Sequence, residues 1–114
     1  MYTRYQAMMR LRDINTDESV EALAAGLTSP SPVLRHEIAF VYGQMRRRKA
    51  RNYLYTLVQD EQEHPMVRHE AAEALGSIAD TEDTEFLRHI ESSCGDRLVR
   101  ESCTVGIAIA EGRL

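Results

Sequence analysis

Apolar residues recur along this chain at intervals of three and four. Leu34, Ile38, Val41 and Met45 form one such stripe, and Val67, Ala71, Ala74 and Ile78 form a second. That spacing lines up side chains on one face of an α-helix. Shorter amphipathic stretches lie between them, around Val20, Leu23, Ala24 and Leu27, around Tyr53, Leu54, Leu57 and Val58, and around Phe86, Leu87 and Ile90. Helix-start signals sit where these patterns need them. Ser31 offers a capping hydroxyl ahead of Pro32 at a first helical position; Thr16 or Asp17 serves the first short stretch and the run from Asp80 to Asp83 the third. No stretch alternates apolar with polar as a half-buried strand does. The pattern predicts an all-α fold.

The stripes belong to a repeat. Residues 34–45 align with residues 67–78 at an offset of 33, and Pro32 and Pro65 each stand four residues ahead of the histidine in their copy. A weaker copy, Val99 to Cys103, follows 32 residues after the second, and another, Arg4 to Leu11, precedes the first by 31. Copies at a constant spacing imply stacked units that bury a shared core. The local patterns make each unit a pair of antiparallel helices, the HEAT-type arrangement. Residues 1–114 are expected to form one such solenoid domain of three to four pairs, a size ordinary for a single domain.

With each stripe at zero on a helical wheel, His36 and His69 fall roughly 200° round, on the side opposite the stripe. That side also carries Ala39 and Gly43 in one unit and Ala72 and Gly76 in the other, small residues that leave room for something to approach the helix. Glu37 and Glu70 follow their histidines in the first helical turn. A single His-Glu pair on an exposed helical face is ordinarily solvent-facing, its glutamate complementing the helix dipole. Here, however, two pairs share one repeat register, so stacking sets them side by side. The flanking copies carry Tyr5-Gln6 and Glu101-Ser102 instead, so the unit itself does not require the pair. Two imidazoles and two carboxylates on one face make a nitrogen- and oxygen-rich donor set suited to Fe(II), Mn(II) or Zn rather than to a thiolate cluster.

Charge and composition narrow the classes. Lys and Arg total 14 against 18 Asp and Glu, a net charge of −4, which disfavours a nucleic-acid partner. No apolar run approaches the roughly 20 residues of a membrane span. Two cysteines without a CxxC spacing, Cys94 and Cys103, fit a reduced, cytoplasmic setting better than a secreted one. Glycine-rich phosphate loops and the GxSxG elbow are missing. The basic run Arg46, Arg47, Arg48, Lys49 and Arg51 reads as a solvated connection, with an acidic partner surface as the other reading. His64 and His89 lie outside the His-Glu register and read as surface residues. Tyr42 and Cys103 read as packing, and Met8, Met9, Met45 and Met66 as gap-fillers.

The frames LRHEIAFVYGQM and PMVRHEAAEALGSIAD, with the opening RYQAMMRLRD and the closing LVRESC, closely resemble deoxyhypusine hydroxylase over essentially the whole chain. The resemblance implies a HEAT-repeat, non-haem di-iron monooxygenase, an oxidoreductase that hydroxylates deoxyhypusine to hypusine on a translation initiation factor. The family has two such halves and four His-Glu pairs; this chain matches one half, its VRESC ending nearer the C-terminal one. Carried over, His36, His69 and Glu70 match the ligands of one iron. Glu37 matches a carboxylate that holds the cationic substrate amine, with a place among the metal ligands as its alternative. Such a half offers too few ligands to enclose two irons. The expectation is Fe(II) in a di-iron centre completed by a second HEAT half of a larger protein or by a homodimer about a twofold axis. The competing expectation is a HEAT-repeat interaction module without catalysis.

Overall fold

A computed structural model describes residues 2–78 and 80–113. Among these lie seven α-helices and no strand: α1 (Tyr2–Ile14), α2 (Asp17–Ala24), α3 (Pro32–Met45), α4 (Arg51–Gln59), α5 (Pro65–Ile78), α6 (Thr81–Ser93) and α7 (Arg97–Ala110). Short 3₁₀ turns extend α2 and precede α4.

The helices begin where side chains satisfy their free amides. Thr16 Oγ1 accepts from the Ser19 amide at 3.1 Å while Ser19 Oγ accepts from the Thr16 amide at 3.3 Å, a reciprocal cap. Ser31 caps α3 with Pro32 in its first turn, Asp80 caps α6 and Asp96 caps α7. At the start of α5 the exposed His64 takes this part, its Nδ1 accepting from the Met66 amide at 3.1 Å.

Three antiparallel pairs, α2 with α3, α4 with α5 and α6 with α7, stack in order, and α1 lies against α3 in the place a preceding unit's second helix would take. The second helices α3, α5 and α7 form one continuous layer, with α4 packed on α5 and α6 on α7. Both predicted stripes point between the layers: Leu34, Ile38, Val41, Met45, Val67, Ala71 and Ala74 are buried. Tyr42 is fully enclosed and its hydroxyl donates to the Val20 carbonyl at 2.8 Å, so burial raises its pKa well above the ordinary phenol range. Met8 and Met45 fill the core as expected; Met66 does not, and stands exposed.

The basic run departs from its expectation only in part. Arg46, Arg48 and Lys49 are exposed, as a solvated connection would have them, but four of the five residues also tie each unit to its neighbours. Arg47 bonds Asn15 and Asp17, and Lys49 pairs with Glu21, on the preceding pair. Arg48 and Arg51 pair with Asp80, and Arg51 also with Glu82 and Asp83, on the following pair. Asp83 is completely buried and takes the Arg51 Nε at 2.9 Å and the Tyr55 hydroxyl on the same oxygen. The charge pattern carried no partner information because the 32-residue offset was already supplying acids from the same chain.

Candidate functional site

The small residues opposite the stripes do not admit a ligand; they admit the next helix. A Cβ on Gly43 would meet Ala74 Cα at 3.1 Å, and one on Gly76 would meet Gly106 Cα at 2.8 Å. Ala39 and Ala72 are fully buried on the same side. Backbones this close bring side chains of equivalent register on α3, α5 and α7 within direct reach of one another.

His36 and His69 are consequently half-buried rather than solvent-facing, with side chains 26% and 24% exposed. His36 Nε2 lies 3.2 Å from Glu70 Oε1, reaching across from α3 to α5, and its Nδ1 lies 3.3 Å from Glu37 Oε1. His69 Nε2 lies 3.9 Å from the same Glu70 oxygen and 3.1 Å from Glu73 Oε2, one turn along α5. His69 Nδ1 turns the other way, to Ser102 Oγ on α7 at 2.6 Å. All four predicted residues thus lie on one ridge, with Glu70 Oε1 between the two Nε2 atoms. His89 is exposed and takes no part.

Glu73 and Ser102 were not singled out from the sequence. The signal for Glu73 was present, since a residue four positions after a histidine shares its helical face. Ser102 occupies the register of Glu70 in the following unit, where the departure from His-Glu read only as a missing pair.

The donor set suits a hard or borderline divalent ion: imidazole nitrogens and carboxylate oxygens, without sulfur. Two donors each about 2.1 Å from one ion and at right angles are about 3.0 Å apart; the His36–Glu70 separation of 3.2 Å is near that value, which is also a hydrogen-bond distance, whereas His69–Glu70 at 3.9 Å is wider. Among the described residues, Glu37, Glu70 and Glu73 have no Arg or Lys within salt-bridge distance; their close partners are the two histidines. The same residues hold no group of three or more His, Cys, Asp or Glu side chains arranged around one ion-sized point. As packed in this chain, the ridge is an open row of donors rather than a closed cage of ligands. Beside it runs a groove whose lining includes Glu70 and Glu73, the basic Arg46, and the apolar Phe40 and Ile109.

Cys103 is buried beneath this layer, and burial pushes its thiol up to about 12; it is neither a ligand nor a nucleophile here. No described helix is long and apolar enough to cross a membrane.

Residues 20–108 match the family model for HEAT repeats. The chain is 44% identical over 111 residues to deoxyhypusine hydroxylase-B of Oryza sativa subsp. japonica, covering 97% of this chain and 36% of that protein. It is 46% identical over 111 residues to deoxyhypusine hydroxylase of Schizosaccharomyces pombe, covering 97% and 35%. Among solved structures, human deoxyhypusine hydroxylase in complex with glycerol superposes with a TM-score of 0.89 at 40% identity, covering 96% of this chain and 38% of that one. The chain spans about a third of the length of the curated relatives it matches.

Proposed function

Because the chain belongs to the HEAT-repeat family, its functional residues being those its stacked second helices present together, we propose that it forms one side of a deoxyhypusine hydroxylase active site. His36, His69 and Glu70 hold one Fe(II), and a second HEAT half or a second copy of the chain completes a di-iron centre. The substrate is the deoxyhypusine side chain of a translation initiation factor, and the setting is cytoplasmic. The observation that carries this reading is the approach of both Nε2 atoms to one carboxylate oxygen, at 3.2 and 3.9 Å. The likeness to named deoxyhypusine hydroxylases over nearly the whole chain supports the choice of reaction.

An iron pair held here would supply the two electrons that, with two protons, turn dioxygen and a C–H bond into an alcohol and water, an external reductant restoring Fe(II) between turnovers. The chain's own residues bind and orient. Neutral imidazoles are needed to hold the metal, and Glu70 adds the charge that favours a divalent ion. Glu37, with its side chain 32% exposed, receives the ammonium of the aminobutyl arm through a charge-assisted hydrogen bond. Phe40 and Ile109 give the neighbouring groove an apolar part beside Glu70 and Glu73, with Arg46 also in its lining.

The test is iron content of the purified chain, with His36→Ala and His69→Ala as variants. Both variants are expected to lose iron while keeping their helical circular dichroism; iron retained in either would overturn the ligand assignment. Sedimentation with and without Fe(II) tests the completion of the site, and a strict monomer that holds no iron would defeat the homodimer form. A second reading, a non-catalytic docking module, is favoured by one observation: Val33, Met66 and Leu98, the second residues of α3, α5 and α7, are all exposed apolar side chains in matching register. Iron binding separates the two.

A further inference from the structure

The two histidines occupy the same register yet use opposite ring nitrogens toward the next unit. His36 reaches forward to Glu70 through Nε2, whereas His69 reaches forward to Ser102 through Nδ1. Glu70 and Ser102 are equivalent positions, 32 residues apart. A short hydroxyl in place of a carboxylate therefore changes which side of the ring is engaged. Were the pattern of the preceding unit continued, His69 Nε2 would point on toward α7. Instead it turns back to Glu70 and Glu73 on its own helix, and the two Nε2 atoms converge.

The hydroxyl hydrogen decides the protonation of the ring. Ser102 Oγ lies 2.6 Å from the Leu98 carbonyl oxygen and 2.6 Å from His69 Nδ1. A carbonyl oxygen only accepts, so the one hydroxyl hydrogen must point at Leu98 for that contact to be a bond. Oγ then has only lone pairs left for the imidazole, and Nδ1 must donate. Ser102 is 2% exposed, so water does not compete for either bond. With Nδ1 protonated, Nε2 of the neutral ring carries a lone pair, and it faces carboxylates at 3.1 and 3.9 Å.

We infer that Ser102 is a positioning residue that holds His69 as the Nδ1–H tautomer, leaving Nε2 free to coordinate on the Glu70 side of the ridge. This deepens the metal-site reading above and rests on it for its consequence, though not for the tautomer. Groups that orient metal-bound histidines typically change metal affinity by 10- to 100-fold.

The experiment has two arms on the full chain. In the first, long-range ¹H–¹⁵N correlation spectra of the metal-free protein report which nitrogen of each imidazole is protonated, on the alkaline plateau of its ¹⁵N shifts. His69 is expected as Nδ1–H in the wild type, to lose that preference in Ser102→Ala, and to regain it in Ser102→Thr, while His36 is unaffected. Nε2–H at His69 in the wild type, or an unchanged His69 pattern in Ser102→Ala, would overturn the inference. In the second arm, Co(II) titration monitored by its visible absorption is expected to show affinity about 10- to 100-fold weaker in Ser102→Ala, with thermal midpoints checked alongside. Equal affinity despite a changed tautomer would refute the role toward the metal. A wild type that binds no metal would instead sink the homodimer form of the proposed function, while the first arm still decides the tautomer. Should Ser102→Ala fail to fold, the wild-type spectrum and Ser102→Thr decide it alone.

Discussion

Substituting Gly76 by alanine tests whether backbone proximity, rather than the donor residues themselves, sets the site. Alanine is the better helix former by about 1 kcal/mol, so at an open helical glycine the variant would gain stability. At Gly76 the added Cβ would stand 2.8 Å from Gly106 Cα and closer still to that residue's carbonyl oxygen, where ordinary contact begins at 3.4 Å. Both partners are backbone, so no rotamer change relieves the clash, and α5 and α7 must separate by at least about 0.6 Å. The same separation would lengthen the His69–Ser102 bond from 2.6 Å to about 3.2 Å, at the outer edge of a useful hydrogen bond. Overpacking costs roughly 1–3 kcal/mol and the weakened bond about 1 more; less the propensity gain, the net loss is about 1–3 kcal/mol. At about 4 °C per kcal/mol for a chain of this size, the thermal midpoint should drop by about 4–12 °C in a circular dichroism melt. Gly95→Ala, in the bend between α6 and α7 where a Cβ meets nothing within 4 Å, controls for the added methyl alone and should be neutral or slightly stabilising. A Gly76→Ala midpoint equal to or above wild type would refute the claim that helix contact at this glycine brings the ridge together.

Further expectations follow from the ion pairs and the buried thiol. Arg51→Ala strands the fully buried Asp83 carboxylate and should cost about 3–5 kcal/mol in urea unfolding; a loss below about 1 kcal/mol, the scale of an exposed pair, would show that Tyr55 alone suffices. Burial pushes the Glu63 carboxyl up, but hydrogen bonds from Arg35 and the His64 amide outweigh it and leave its pKa below the ordinary 4.5. A folded pKa below the unfolded one stabilises above the unfolded value and loses that contribution as pH falls through the folded one. The gap between wild type and Glu63→Gln should therefore be full at neutral pH and close as pH falls below about 4.5; a gap independent of pH would contradict it. Cys103, fully buried and with its thiol raised to about 12, should resist a thiol reagent at pH 8 until the chain is unfolded, read as labelling confined to Cys94 in the native state.

Much of the architecture was legible because its causes are local. Thr16, Ser31 and Asp80 cap the helices they were expected to start, and the apolar stripes pointed inward because a helix has one way to bury residues three and four apart. The 33-residue offset likewise brought His36, His69, Glu37 and Glu70 to one ridge. Legibility ended where a residue's meaning depends on a neighbour 30 or more positions away. The basic run looked solvated because its acids, Asp17, Glu21, Asp80 and Asp83, belong to flanking units. Gly43 and Gly76 looked like room for a ligand because a missing side chain does not say what occupies its space.

The amino-acid order by itself determined that this is an all-α chain of repeated helix pairs and that two imidazoles and their glutamates recur in one register, since helical periodicity and a constant offset are properties of sequence alone. Tertiary structure decided the distances and the direction of each ring. Glycine and alanine contacts among α3, α5 and α7 set how near the donors come, and a serine on the third of these helices turns His69 back toward Glu70. Helical periodicity fixes the angle of a side chain about its own axis, whereas the gap between axes and the ring nitrogen that meets a partner are settled only when the helices pack.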